Sequence, residues 1–274
     1  MNDSELEQLR NKLISITQSA GRAILPIAAQ IVNDPSLVKI KGDGSPLTMA
    51  DLASNDIIVA ELEKLTPEIK IISEEGDLKS IESTTEAWPL YWLIDPLDGT
   101  KEFIKGYPDY TVNVALIENG RPILGVVGAP ATDIIYSAAR NQGAFLQVGN
   151  SNPQAIKARI QDSNWVAVVS RSHLNQATEA VLQKLGIVDS TPHGSSIKMC
   201  SVAEGQADIY PRIGPTMLWD TAAGAAVARE AGCLVWNLSG DDLSYHPADG
   251  LKHSGFFVFP RDNQVLKDKI TQIL

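Results

Sequence analysis

Leu6, Leu9, Leu13, Ile16, Ala20 and Ile24 recur at intervals of three and four, the spacing of one helix face. This predicts a helix over residues 4–33, kinked at Pro26. A turn-rich loop follows at "KGDGSP". Thr48 to Leu65 reads as a second helix. Thr48 is its N-cap, and Asp51 three positions on has capping-box spacing with Asp in place of Glu. "IKIIS" and "LYWLI" are short apolar runs that predict buried strands, the first ending at Glu74 and Glu75. Residues 110–140 read as three strands joined by tight turns, the first at Asn119-Gly120.

The rhythm changes near residue 160. "WVAVVS" predicts a strand, residues 175–185 a helix, "GIVDST" a strand and "SSIKMCSVAEG" a helix. "DIYPRI" leads through "GPTMLWD" to a small-residue helix over residues 220–231. A strand at "GFFVF" and a final helix close the chain. Alternating strands and helices suggest βαβ-like layering. No linker, repeat or low-complexity tract interrupts the chain. The expectation is two closely fused lobes, 1–160 and 161–274.

Composition narrows the function. The 274 residues carry a formal net charge of −10, which argues against non-specific binding to nucleic acid or anionic lipid. An anionic substrate must therefore be attracted by local cations. The start "MNDSELEQLR" lacks the basic and apolar pattern of a secretory signal, and no apolar run approaches a membrane span. The two cysteines, Cys200 and Cys233, read as reduced thiols in a core. These features imply a soluble, cytoplasmic protein, with nothing that demands attachment to the inner membrane.

The chemistry concentrates in "WLIDPLDGTKEF". An apolar run, Tyr91 to Ile94, delivers Asp95, and Asp98 follows three positions later. An acid after a strand is often only a helix cap or a solvated loop residue. Here two acids leave one strand end with Pro96 between them. Held close, they would repel and force a proton onto one. A divalent cation removes that conflict. No His or Cys joins them, so the ligands are all oxygen, which suits magnesium or manganese rather than zinc. Gly99 permits close backbone approach, and Thr100 opens a short helix whose free N–H groups suit a phosphate. A hydroxyl such as that of Thr100 orients water well but needs a carboxylate partner to act as a base. Asp51 is the best candidate.

"SEEGD", "WLIDPLDGTKEF" and "WDTAAGAAVAREAG", in this order, resemble the inositol monophosphatase superfamily of lithium-sensitive, magnesium-dependent phosphatases. The likeness spans nearly the whole chain, and "SRSH" and "GSSIK" point to its bisphosphate nucleotidase branch. "KGYPDYTVN" is a local departure. The resemblance implies an α-β-α-β-α layered sandwich with the site between two lobes. It implies two or three Mg2+ ions, replaceable by Mn2+, held by Glu74, Asp95, Asp98, Asp220 and the carbonyl of Leu97. Asp51 and Thr100 would orient and deprotonate the attacking water, with Glu74 helping to hold it. The implied substrate is a small nucleotide, 3′-phosphoadenosine 5′-phosphate or its sulfated precursor, touching Asp98, Gly99, Thr100, Lys101 and Asp220.

The second half agrees in outline. Ser170 and His173 follow a strand end, where ligand crevices open. Gly194 and Ser195 lead into a helix with Lys198 one turn in, an arrangement for a second phosphate or the ribose. Arg212 adds a bidentate phosphate contact. The rival readings are an inositol phosphate or fructose 1,6-bisphosphate phosphatase of the same superfamily, and a non-catalytic nucleotide sensor.

Overall fold

The structure is a computed structural model, and it describes residues 1–42, 46–77 and 88–274. Part of the "KGDGSP" loop falls outside them. Helix α1 (Asp3–Asn33) runs through Pro26, and α2 (Met49–Leu65) follows the small hairpin of β1 (Lys39–Ile40) and β2 (Pro46–Leu47). The buried stripe of α1 is the one its periodicity predicts, Leu6 through Ile24.

Both helices pack on one face of a seven-stranded sheet. Its strands lie side by side in chain order: β3 (Lys70–Ser73), β4 (Leu90–Asp98), β5 (Thr111–Glu118), β6 (Arg121–Ala129), β7 (Ile134–Ala139), β8 (Ala144–Val148) and β9 (Gln154–Ile156). Within this sheet β3 and β4 pair in parallel and the other described neighbours are antiparallel. The β5–β6 turn is at Asn119-Gly120, where both residues have positive φ, as a tight hairpin requires. The short edge pair β8 and β9 was not anticipated.

The other face of this sheet is covered by α6 (Leu218–Glu230), buried along almost its whole length. Its alanines suit a helix with layers on two sides, since small side chains let both approach. Beside it lies α5 (Ile197–Ala203). A second sheet lies beyond them. In it β12 (Tyr210–Met217), β14 (Lys252–Pro260) and β13 (Cys233–Asn237) pair in that order. The parallel pair β10 (Val166–Ser170) and β11 (Asp189–His193) adjoins β12 through a bridge from Ala167 to Ile209. Helices α4 (Gln176–Leu185) and α7 (Gln264–Ile273) cover its outer face, with Leu182, Phe257, Phe259, Leu266 and Ile270 in one apolar cluster. The layers alternate α-β-α-β-α, as expected. A single apolar cluster joins Leu93 and Ile117 of the first sheet to Ala222, Val235 and Phe256, so packing is continuous across residue 160.

Helix α5 starts at Ile197, two residues after the expected Ser195, and α6 starts at Leu218 rather than Asp220. Strand β12 continues through Met217, so "GPTM" is strand and not a connector.

Candidate active site

Strand β4 is buried from Tyr91 to Leu97 and ends at the site. Asp95 and Asp98 would point to opposite faces of a regular strand, being three residues apart. They do not, because Asp95 pairs with Asn113 and Asp98 with Thr111, so three steps on β4 match two on β5. The extra residue is a β-bulge, which turns both acids to one side. Asp95 accepts the Leu97 N–H at 3.0 Å. Asp220, in the first turn of α6, accepts the Met217 N–H at 3.1 Å. Oxygens of Asp95, Asp98 and Asp220 lie within 4.8 Å of one another, although 120 residues separate the strand from the helix.

Burial pushes the carboxyls of Asp95 and Asp220 well above the usual carboxylate range, and neighbouring acids push them further. Asp98 rises to about 6, also through burial, against a downward pull from Lys198 and from the Asn113 amide at 3.3 Å. Crowded carboxylates, Asp95 buried and Asp98 and Asp220 half-buried, with only oxygen donors fit a hard divalent cation. Glu74 stands at the end of β3 and is not in this trio. Lys41 clamps it at 3.0 Å and Glu75 at 2.6 Å. Burial works against the Lys41 ammonium, but the two acids hold it above its ordinary range.

The hydroxyl and carboxylate expected to work together do meet. Thr100 opens α3 (Thr100–Ile104), and its Oγ1 is 3.5 Å from Asp51 Oδ1. The other oxygen of Asp51 closes the α2 capping box, taking Thr48 N–H and Oγ1 at 2.7 Å each. A single carboxylate therefore caps the helix and faces the site. Ser54 Oγ donates to the Pro96 carbonyl at 2.7 Å, pinning α2 to the tip of β4. Thr100 Oγ1 also reaches the Leu97 carbonyl at 3.1 Å. A hydrogen bond of 3.5 Å is long, as such bonds often are before substrate binds. Gly99 has φ +87°, and a Cβ there would lie 3.0 Å from the Asp109 carbonyl, so both the turn and the contact require glycine.

Asp98, Thr100 and Asp220 open onto a cleft of about 460 Å³. Lys101, Ser170, His173, Lys198 and Arg212 line it as well. Lys101 Nζ lies 3.1 Å from His173 Nε2, and Arg212 Nη1 donates to the His173 carbonyl at 3.2 Å. Lys198 is buried, and its Nζ donates to the Ser195 carbonyl at 2.5 Å. Burial pulls the Lys198 ammonium down to about 8, although Asp98 and Glu102 support its charge. His173 is lowered by burial and by Lys101 and Arg212. Gly194 is set back from the cleft, where its N–H donates to Asp109 at 3.1 Å. Ser195 lines the cleft with its Oγ buried and unpartnered.

Three site residues escaped the sequence reading. Lys41 lies in a loop with no pattern to tie it to Glu74. Tyr210 lines the cleft under Lys198, whose Nζ sits 5.6 Å from the ring centre, but in "DIYPRI" it reads as strand core. Glu102, buried beside the cleft, lies inside the "DGTKEF" stretch itself, where nothing in the local pattern sets it apart.

A glycine turn beside clustered acids, in a cleft also lined by cations, suits transfer of a phosphoryl group to water, and the chain's family and relatives make it a phosphatase. Its residues 6–272 match the inositol monophosphatase family, to which it belongs. It is 43% identical to the 3′(2′),5′-bisphosphate nucleotidase CysQ of Escherichia coli strain K12, over 90% of this chain and 98% of that one. It is 38% identical to the protein of the same description from Buchnera aphidicola, over 91% and 93% of the two chains. The crystal structure of CysQ from Bacteroides thetaiotaomicron, a bacterial member of the family, superposes with a TM-score of 0.75 at 36% identity, covering 91% of this chain and 96% of that one.

Proposed function

We propose that the chain is a magnesium-dependent 3′(2′),5′-bisphosphate nucleotidase that converts 3′-phosphoadenosine 5′-phosphate to AMP and phosphate. The observation that carries this reading is one cleft lined by acids and by cations together. Asp98, Asp220 and Thr100, with Asp51 behind Thr100, make up the acid wall, and Lys101, Lys198 and Arg212 supply the cations of the basic wall, with His173 beside them. A monophosphate needs only the first wall. A second wall of cations, one of them buried, suits a substrate with a second phosphate.

Asp95, Asp98 and Asp220 would hold divalent cations, with Glu74 once it leaves Lys41, and the Leu97 carbonyl. Bound there, the cations would offset the charge that builds on the phosphoryl and leaving oxygens. The chain's own groups do the rest. Thr100 Oγ1 orients the attacking water, and Asp51 Oδ1 receives the proton passed through that hydroxyl. Thr48 keeps the second Asp51 oxygen occupied, so the first is aimed rather than free to rotate. Lys198 and Arg212 anchor the phosphate that does not react, which places the 3′-ester beside the acids and removes the need to search for that geometry. 3′-Phosphoadenylyl sulfate carries the same 3′-phosphate, with a phosphosulfate in place of the 5′-phosphate, and would be cleaved at the same ester, a role in sulfur assimilation.

The test is product analysis. Incubation of the bisphosphate with enzyme and magnesium should give one phosphate and 5′-AMP, and chelator should stop it. Release of the 5′-phosphate, or full turnover in chelator, would refute this reading.

A further inference from the structure

The segment "KGYPDYTVN" carries an acid that neither cation binding nor substrate contact accounts for. Asp109 is 7% exposed. Its Oδ2 accepts three hydrogen bonds, from Arg171 Nε at 2.9 Å, Arg171 Nη2 at 2.6 Å and the Gly194 N–H at 3.1 Å. Arg171 extends from the end of β10 and holds the same junction in two further ways. Its Nη2 also donates to the Pro192 carbonyl at 3.1 Å, and its guanidinium lies 5.2 Å from the centre of the Tyr107 ring.

The backbone is equally engaged. A Cβ on Gly194 would lie 2.4 Å from the Asp109 carbonyl oxygen, closer than any other residue type allows. The same oxygen faces Gly99 on the acid wall. Asp109 is thus wedged between the glycine turn beside the acids and the loop that leads to Lys198. That loop is strained. Ser195 has φ +45°, costly for a residue other than glycine and sustained only where the surroundings enforce it. Its carbonyl receives the Lys198 ammonium, and the hydroxyl of the next residue, Ser196, donates to the Asp220 carbonyl. The bond from Gly194 to Asp109 is the restraint immediately before this strained residue.

An ordinary surface ion pair contributes little. This one differs, because the acid is buried and spends the same oxygen on the backbone of the substrate-facing loop. We propose that Asp109 and Arg171 are positioning residues: together they hold Ser195 in its strained conformation and so fix the Lys198 ammonium for the second phosphate of the substrate.

The inference rests on the reading that the basic wall takes a second phosphate. It is tested by steady-state kinetics and thermal melting of the wild type, Asp109→Asn, Arg171→Met, Arg171→Lys and the double variant Asp109→Asn/Arg171→Met. The substrates are 3′-phosphoadenosine 5′-phosphate and para-nitrophenyl phosphate, which offers nothing to the basic wall. Asp109→Asn and Arg171→Met should each raise KM for the bisphosphate roughly 10- to 150-fold, the equivalent of one charged hydrogen bond. Turnover of the small ester should stay within about threefold, and the double variant should be no worse than the weaker single one, because both act through one contact. Arg171→Lys should recover part of the loss, since it keeps the charge but not the fork. An unchanged KM would overturn the proposal. So would equal losses on both esters in step with a lower Tm, which would make the pair part of the fold alone. If the wild type prefers another large ester, the nucleotide reading fails, and the pair is judged by the same KM contrast on that ester. A wild type that gains nothing from any larger ester overturns both.

Discussion

The two walls of the cleft carry opposite charge but share one physical condition. On the acid wall, burial and neighbouring acids push the carboxyls of Asp95 and Asp220 well up, and Asp98 to about 6. On the basic wall, burial brings Lys198 down to about 8, and burial with Lys101 and Arg212 lowers His173. Each wall holds a buried charged group, Asp95 on one and Lys198 on the other, a cost that opposite charge relieves. The acid wall calls for cations and the basic wall for an anion. A phosphate ester bound with metal serves both. Lys198 on the basic wall is near enough to Asp98 to pull its carboxyl down, so the two charges partly relieve each other.

The largest effect should come from the acid wall. Asp98→Asn removes one carboxylate charge from the proposed cation site at constant volume, and turnover should fall on the order of 10³-fold or more. The same change should stabilise the metal-free protein. The folded carboxyl, near 6 against an ordinary 3.8, resists ionisation, so the wild type bears the full penalty above pH 6 and loses it as pH falls toward 3.8. The gain in Tm from Asp98→Asn should therefore be greatest at pH 7.5 and shrink below pH 6. Melting curves in chelator at both pH values check this, and a gain that grows on acidification would contradict it.

Next in size is the Thr100–Asp51 pair. Thr100→Val should lower kcat by roughly 10²- to 10⁴-fold with little change in KM, the usual range for lost acid–base assistance. Asp51→Asn should do the same but also weaken the α2 cap, by about 1 kcal/mol. A Tm that falls for Asp51→Asn and holds for Thr100→Val would separate the two duties of Asp51. Equal kcat for Thr100→Val and wild type would remove the hydroxyl from the chemistry.

Smaller still, and confined to the basic wall, is Lys198→Ala. It should cost roughly 10- to 150-fold in kcat/KM on the bisphosphate and far less on 3′-AMP. Because Lys198 also faces Asp98, this variant sharpens the comparison. Equal losses on both substrates would assign the lysine to the acid wall.

The walls also differ in how far the chain alone reveals them. Asp95, Asp98, Gly99 and Thr100 lie in one quoted stretch, and the apolar run before them identifies the strand that presents them. What the chain does not show is the bulge that turns both acids to one side, since that depends on pairing with Asn113 and Thr111. The capping box at Thr48 was legible because caps are local. The approach of Asp51 to Thr100 was not, because it depends on α2 being pinned to Pro96. The basic wall is drawn from residues 101, 173, 198 and 212, which lie far apart in the chain and carry no shared local pattern. Resemblance rather than pattern brought them together. Strand β13, β8 and the edge strand β9 went unread because each is short and only partly buried. Asp109 lay in a segment noted only as unusual. Its importance comes from Arg171 and Gly194, at least 62 residues away.

The central claim is that one cleft acts on a phosphate ester at its acid wall and selects for a second phosphate at its basic wall. The most direct measurement is kcat/KM of the wild type at saturating magnesium on 3′-phosphoadenosine 5′-phosphate, 3′-AMP and inositol 1-phosphate. The account predicts that the bisphosphate exceeds both monophosphates by roughly tenfold or more, the worth of at least one charged hydrogen bond. Equal values for the bisphosphate and 3′-AMP, or a higher value for inositol phosphate, would contradict it.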